Sequence, residues 1–205
     1  FAWIGILIFF LVARNRIIAN QQEDINAYIL ENISADMPAW NGIIVGETTE
    51  IEAEERILDL EYVKKTSIDT TSIDGFTYIN WSWQTSPGNV NSSVRTKDGV
   101  VDRIILSFSD ELTVATLVAD FGFPDEVFIS PLGDASDPWF WNLTLYYLAE
   151  GINIGANSRR LQQTFSIQDE VEFIELFEPE QISSAHDLAF AYGIDIRDIE
   201  ATLPT

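Results

Sequence analysis

The chain of 205 residues has no cysteine, a single histidine and a single methionine. Without cysteine, disulfide bonds, thiolate zinc sites, iron–sulfur clusters and cysteine nucleophiles are all excluded. A cysteine-free chain is stable in oxidising and in reducing compartments, so this absence does not select a location. The sequence predicts no cofactor and no metal centre.

Basic residues are also scarce, with 11 Lys+Arg against 33 Asp+Glu and a formal net charge of −22. Such a field repels nucleic-acid phosphates, so no nucleic-acid partner is predicted. It favours basic partners or loosely held cations. The 46% hydrophobic and 12% aromatic content is sufficient for a folded core, which excludes wholesale disorder.

Residues 1–13 read FAWIGILIFFLVA and contain no charge. As a helix they would rise only ~20 Å, less than the ~30 Å hydrocarbon core, so a full span needs upstream residues. Arg14 and Arg16 follow without a small-residue cleavage site, which favours an uncleaved anchor in the lipid bilayer over a signal peptide or a buried helix. A chain starting with Phe1 also suggests a type IV pilin, but Gly5 stands where that family has a glutamate.

Turn and helix signals divide the chain. Residues 1–37 are predicted to form a membrane anchor helix and stalk. Because Ile18, Ile25 and Ile29 recur at helical spacing, the stalk is predicted to dock one face on another part of the structure or on a partner. A first helix-plus-antiparallel-sheet unit is predicted over 38–110. A second such unit, with a C-terminal helix, is predicted over 111–205. The predicted fold class is α+β, an N-terminal membrane helix followed by these two units.

Each predicted unit begins with a capped helix. Thr49 is a suitable N-cap and Glu52 completes a capping box. Thr113 can cap the second helix, which Gly122 and Pro124 terminate. Alternating or apolar runs predict strands at 76–84, 100–108, 126–130, 139–148, 152–156, 161–167 and 171–177. The last of these is acidic and is predicted to lie at a sheet edge.

Two stretches, residues 44–58 and 112–127, share an outline. The first has Gly46 and Thr48 at a helix start, and the second has Gly122 and Pro124 at a helix end. This resembles small bacterial envelope modules, the outer-membrane-assembly lipoproteins and the β-lactamase-inhibitor-like domains. The resemblance implies an extracytoplasmic, membrane-tethered binding module without catalytic residues. Since no lipobox cysteine is present, the tether would be a helix.

Candidate chemistry is sparse. His186 lies beside Ser183, Ser184 and Asp187, but adjacent residues at a helix start point in different directions and do not form a triad. We interpret these four residues as polar residues in the first turn of the predicted C-terminal helix. No catalytic residue is therefore predicted, and the protein is not expected to be an enzyme.

The acidic residues have simple interpretations. The runs 50–55 and 169–180 are predicted to be solvated faces instead of glycosidase carboxylates. Asp134 and Asp137 supply too few oxygens for calcium and are typical of a turn. The sequence GETT at 46–49 lacks the lysine of a phosphate-binding loop.

Aromatic strands give the remaining functional signal. Trp81, Trp83, Trp139 and Trp141 lie on alternating strand positions, which predicts a sheet core first and a partner-facing patch second. The sequence thus predicts a non-catalytic, membrane-anchored accessory or scaffolding subunit that binds other membrane-protein subunits, with its folded region outside the cytoplasm. The alternatives are an envelope carboxylate hydrolase and a pilin-like filament subunit.

Overall fold

Polar turns and short alternating segments give a chain dominated by strands. The computed structural model describes residues 25–34, 37–84, 91–108, 112–134, 137–158 and 168–179. Its helices are α1 (25–31), α2 (Glu50–Asp59) and α3 (Val114–Phe121). Its strands are β1 (Ala39–Trp40), β2 (Ile43–Ile44), β3 (Asp69–Ile73), β4 (Phe76–Ser82), β5 (Asn91–Lys97), β6 (Val100–Ser107), β7 (Glu126–Asp134), β8 (Asp137–Tyr147), β9 (Ile152–Ser158) and β10 (Glu170–Phe177).

Eight of these strands form one antiparallel sheet in the order β3-β4-β5-β6-β10-β9-β8-β7. The strands β1 and β2 form a separate small hairpin. The predicted α+β class, an N-terminal membrane helix followed by two helix-plus-antiparallel-sheet units, is therefore wrong, because one large antiparallel sheet dominates the described residues. The ladder between β6 and β10 joins both runs of strands into a single sheet. The acidic strand β10 is consequently central and does not lie at an edge.

The predicted membrane helix needs a similar correction. Within the described ranges, no helix is long enough and apolar enough to cross a bilayer. Residues 1–13, on which the anchor prediction rests, lie outside the described residues, as do Ile18, the predicted strand 161–167 and the predicted C-terminal helix.

The order of elements repeats within the single sheet, since a capped helix precedes four strands twice. The N-cap Thr49 forms a bridge with Val100 at the start of β6, and the N-cap Thr113 forms the same bridge with Glu170 at the start of β10. One extra residue interrupts the ladder just after each bridge, at 102 in β6 and at 172 in β10. The two halves of the sheet thus match in strand order and in local pairing on either side of the β6–β10 ladder.

Helix formation follows the sequence signals closely. The Thr49 hydroxyl accepts a hydrogen bond from the Glu52 amide at 3.4 Å, and the Glu52 carboxylate accepts one from the Thr49 amide at 3.1 Å. This confirms the predicted capping box of α2. Thr113 caps α3 and Gly122 ends it, as predicted. Thr48 has a structural role, because its hydroxyl accepts a hydrogen bond from the Ile44 amide at 2.8 Å.

One face of the sheet carries the core. The buried side chains of Leu145, Ile154, Ile174 and Leu106 form a row across β8, β9, β10 and β6. Helices α1, α2 and α3 add buried residues to the same cluster, including Ile29, Ala53, Ile57 and Leu117. Burial of Ile25 and Ile29 confirms the prediction that this stretch docks one face. The three described helices therefore cover one face of the sheet.

Tyr147 makes the fold sensitive to alkaline conditions. Its buried hydroxyl donates to the Gly122 carbonyl at 3.0 Å, and burial raises its pKa well above 10, with smaller contributions from Glu150 and Asp125. The folded state holds this proton longer than the unfolded state, so stability is full below about pH 10 and falls above it. The slope from this group is at most about 1.4 kcal/mol per pH unit.

We expect Tyr147→Phe to unfold at lower urea concentration than the parent protein at pH 8, by about 1 kcal/mol, because the hydrogen bond is lost. Between pH 9.5 and 11 the variant should lose less stability than the parent protein. Urea titrations across this range measure the difference. Parallel pH curves for the two proteins would contradict the assignment.

Candidate binding face of the sheet

The side chains that point away from the core form a second, mixed surface, which we call the outer face. Cross-strand register places an alternating set of residues there, opposite in direction to the buried row. Its members combine aromatic, polar and charged groups and are mostly half-buried. They include Phe76, Tyr78, Asn80, Ser82, Ser93, Arg95, Lys97, Arg103, Ile105, Ser107, Asn142, Thr144, Tyr146, Asn153, Gly155, Phe173, Glu175 and the fully buried Phe177.

Arg95 and Asp102 form the first charged pair near this surface. The Arg95 Nε donates to both carboxylate oxygens of Asp102, at 2.9 and 3.1 Å, and a second guanidinium nitrogen also binds that carboxylate. The guanidinium lies over the ring of Phe76, with its central carbon 4.5 Å from the ring centroid. The hydrogen bonds that Arg95 donates to Asp102 raise the pKa of Arg95. The charged guanidinium of Arg95 is therefore held in place between the Phe76 ring and the Asp102 carboxylate.

Arg103 and Glu175 form the second pair, across the ladder between β6 and β10. An Arg103 guanidinium nitrogen donates to the Glu175 carboxylate at 2.5 Å, and the Asn153 side-chain amide donates to its other oxygen at 2.5 Å. Arg95 and Arg103 are direct cross-strand partners. Two like charges in this position repel each other, so each arginine needs its own carboxylate.

This network leaves hydrogen-bonding capacity unused. The Arg103 Nε and the Asn153 Oδ1 are buried and have no hydrogen-bond partner among the described residues. Tyr146 is the cross-strand partner of Asn153. Burial raises the pKa of the Tyr146 hydroxyl, and the negative charge of Glu175 raises it further. An unpaired donor and an unpaired acceptor therefore lie beside a neutral phenol. Buried polar groups without partners are costly, so this position favours a bound water or an incoming polar group.

An aromatic side chain covers the next part of β9. A Cβ atom at Gly155 would lie 2.3 Å from two ring atoms of Phe173, so the Phe173 ring lies directly across that glycine. Gly155 and Phe173 are cross-strand partners. With Tyr146, Phe76 and Tyr78, this ring gives the outer face an aromatic content typical of protein interfaces.

The residues singled out in the sequence lie elsewhere. Trp81 and Trp83 are buried core residues, as the first interpretation of the tryptophan motif predicts, whereas the side chains of Trp139 and Trp141 lie outside the described part of the chain. Asp134 and Asp137 are backbone partners at the β7–β8 turn, and the described residues contain no group of three or more His, Asp or Glu side chains arranged for a metal. His186, Ser183, Ser184 and Asp187 lie outside the described residues.

Sequence reasoning missed the outer-face network. Arg95 lies in β5, a strand too polar to be predicted, and Glu175 lies in β10, which was placed at an edge. A usable signal was present in β6, where charged Arg103 alternates with apolar Ile104 and Leu106. When charged residues alternate with apolar residues along a strand, the charged residues lie on the face of the sheet opposite the core.

Comparison with family models, with curated proteins and with solved structures gives no match for this chain. The function therefore has to be argued from the surface itself.

Proposed function

We propose that this protein is a non-catalytic accessory or scaffolding subunit that binds another protein through the outer face. The observation that carries the proposal is the network of Arg103, Glu175 and Asn153, in which a buried donor and a buried acceptor lack partners beside Tyr146. A partner that supplies one acceptor and one donor would complete this network away from water. Tyr and Arg in desolvated positions are the residue types that dominate interface energetics.

The net charge of the chain limits the kinds of protein surface that it can bind. A net charge of −22 favours association with basic surfaces and opposes acidic ones. The buried carboxylates of Asp102, near the outer face, and Glu175, on it, are each bound by an arginine, which favours binding over hydrolysis. The predicted partners, other membrane-protein subunits and the bilayer through residues 1–13, stay predictions, as does placement outside the cytoplasm.

The proposal is tested by isolating the chain with its partners from its native source in mild detergent. Native electrophoresis with mass spectrometry should show this chain migrating with a fixed set of different proteins. Migration alone at monomer size would contradict an accessory role, and the acidic region would then be screened for hydrolase activity.

Outer-face variants locate the binding surface. Tyr146→Ala and Phe173→Ala should each weaken partner binding by about ten-fold or more, because truncating a central aromatic side chain typically costs more than 1.4 kcal/mol. Ile51→Ala is the matched control, since Ile51 lies on α2 with 71% of its surface exposed and is not part of the outer face. Equal affinity for all three variants, with unchanged unfolding transitions, would exclude this face as the interface.

A further inference from the structure

The two edges of the sheet are equivalent in position but differ in their protection. Among the residues that the structure describes, β3 forms one edge and β7 forms the other, and each is the first of the four strands that follow a capped helix. An edge strand presents backbone amides and carbonyls that can pair with another chain. Proteins that avoid such pairing place proline, lysine or a bulge in the edge strand. If only one of the two equivalent edges lacks such protection, that edge is the candidate for pairing with another chain.

The β7 edge carries protective features. Pro131 lies within the strand and supplies no amide hydrogen. The pairing of β7 with β8 also shifts register between Leu132 and Gly133. A proline and an irregular ladder both interfere with an added strand.

The β3 edge lacks these features. It reads DTTSI, without proline or lysine, and its five residues pair with β4 in unbroken register. Thr70, Ser72 and Ile73 are exposed, and Ile73 retains 55% of its surface. Among the described residues, no strand pairs with the outer side of β3. The strand is therefore regular, rich in β-branched residues and open to pairing.

Hairpin geometry identifies the outward amides. The turn at Asp74-Gly75 has positive φ at both residues, so Ile73 and Phe76 form the hydrogen-bonded pair that closes a two-residue hairpin. Hydrogen-bonded pairs alternate along an antiparallel ladder, so Asp69, Thr71 and Ile73 bond to β4. The backbone groups of Thr70 and Ser72 then point away from the sheet.

We infer that the β3 edge binds an extended, basic segment of another protein by strand addition. A second copy of this chain is disfavoured as the occupant, because each copy carries a net charge of −22 and the two would repel. A segment with lysine or arginine is favoured by the same field. This edge is separate from the outer face, so the inference does not rest on the function proposed above.

The test uses the full chain and the synthetic peptide KTVTVTVTK, whose lysines flank a β-branched strand. Binding should slow hydrogen exchange at the Thr70 and Ser72 amides, measured by NMR, while the Thr71 amide is unchanged. Ser72→Pro removes an outward amide hydrogen and should weaken peptide binding on the order of ten-fold. Ser72→Ala keeps that amide and should bind within about two-fold of the parent protein.

Other results would overturn the inference. If the Thr70 and Ser72 amides are not protected by saturating peptide, the edge is not a binding site. If their protection increases with protein concentration in the absence of peptide, a second copy is the occupant. Thr70→Pro removes the other outward amide and replaces Ser72→Pro if that variant shows no cooperative unfolding.

Discussion

Trp81→Ala is expected to destabilise the protein by about 3–5 kcal/mol, a large part of the about 5–15 kcal/mol that holds a typical domain folded. Trp81 is fully buried at the centre of an aromatic cluster. Its ring stacks on Trp40 at 5.9 Å between centroids with an interplanar angle of 11°, and it meets Trp83 edge-on at 5.9 Å. Alanine would leave a large cavity beneath β4 and remove both ring contacts.

A conservative variant separates the ring from its polar atom. The indole nitrogen of Trp81 is buried without a partner among the described residues, so Trp81→Phe removes an unpaired donor while keeping an aromatic ring. We expect Trp81→Phe to cost less than half as much as Trp81→Ala, as judged by urea denaturation followed by circular dichroism. Similar losses for both variants would show that the cluster depends on the shape of the whole indole.

Gly151→Ala is expected to cost at least about 3 kcal/mol, because two unfavourable effects coincide. Gly151 has a φ of 66°, which an alanine adopts only with strain. An added Cβ would also lie 2.2 Å from the Phe177 carbonyl oxygen, an atom of the backbone. Since the Phe177 amide donates to the Gly151 carbonyl at 2.8 Å, relief of this clash would pull the end of β10 away from its neighbour.

Gly75→Ala is the matched control for this substitution. Gly75 has a similar φ of 84°, but an added Cβ would meet no atom within 4 Å. Only the backbone strain remains, and we expect a loss of about 1 kcal/mol. Thermal unfolding of the two variants side by side measures the contribution of the close approach. Equal losses would mean that β10 moves aside without cost.

Local features of the fold were predictable from the sequence because their causes are local. The capping box at Thr49 and the Asp98-Gly99 turn each depend on residues within four positions of one another. The burial of Ile79 and Trp81 follows from alternation within one strand. In these segments, short-range hydrogen bonding and strand periodicity determine the structure.

Features that depend on distant partners were not predictable. The strand β5 reads NSSVRTK, yet Ser92 and Thr96 are buried, because the Ser92 hydroxyl accepts from the Ser107 amide and the Thr96 hydroxyl donates to Glu50. Periodicity of hydrophobic residues does not detect such satisfied polar groups. The strand β3 was missed for a related reason, since an edge strand needs little apolar surface.

The candidate site was missed for the same physical reason. Glu175 looks like a solvated residue in an acidic run, and only its ion pair with Arg103, 72 positions away in the chain, allows it to be buried at the middle of the sheet. A single sequence carries no signal of that pairing. Alternation in β4 did predict that Trp81 and Trp83 lie in the core. The absence of catalytic residues stays a prediction.

The ladder between β6 and β10 makes the unfolding of the two halves cooperative. Every other strand pairing in the large sheet joins strands that are consecutive in the chain, so these pairings close smaller loops than the β6–β10 ladder does. The residue pairs from Phe173–Ser107 to Phe177–Arg103 bring together distant parts of the chain, so their loop-closure entropy is the largest in the sheet. Loss of this one ladder would leave two four-stranded sheets, each with an exposed apolar edge and a partial core.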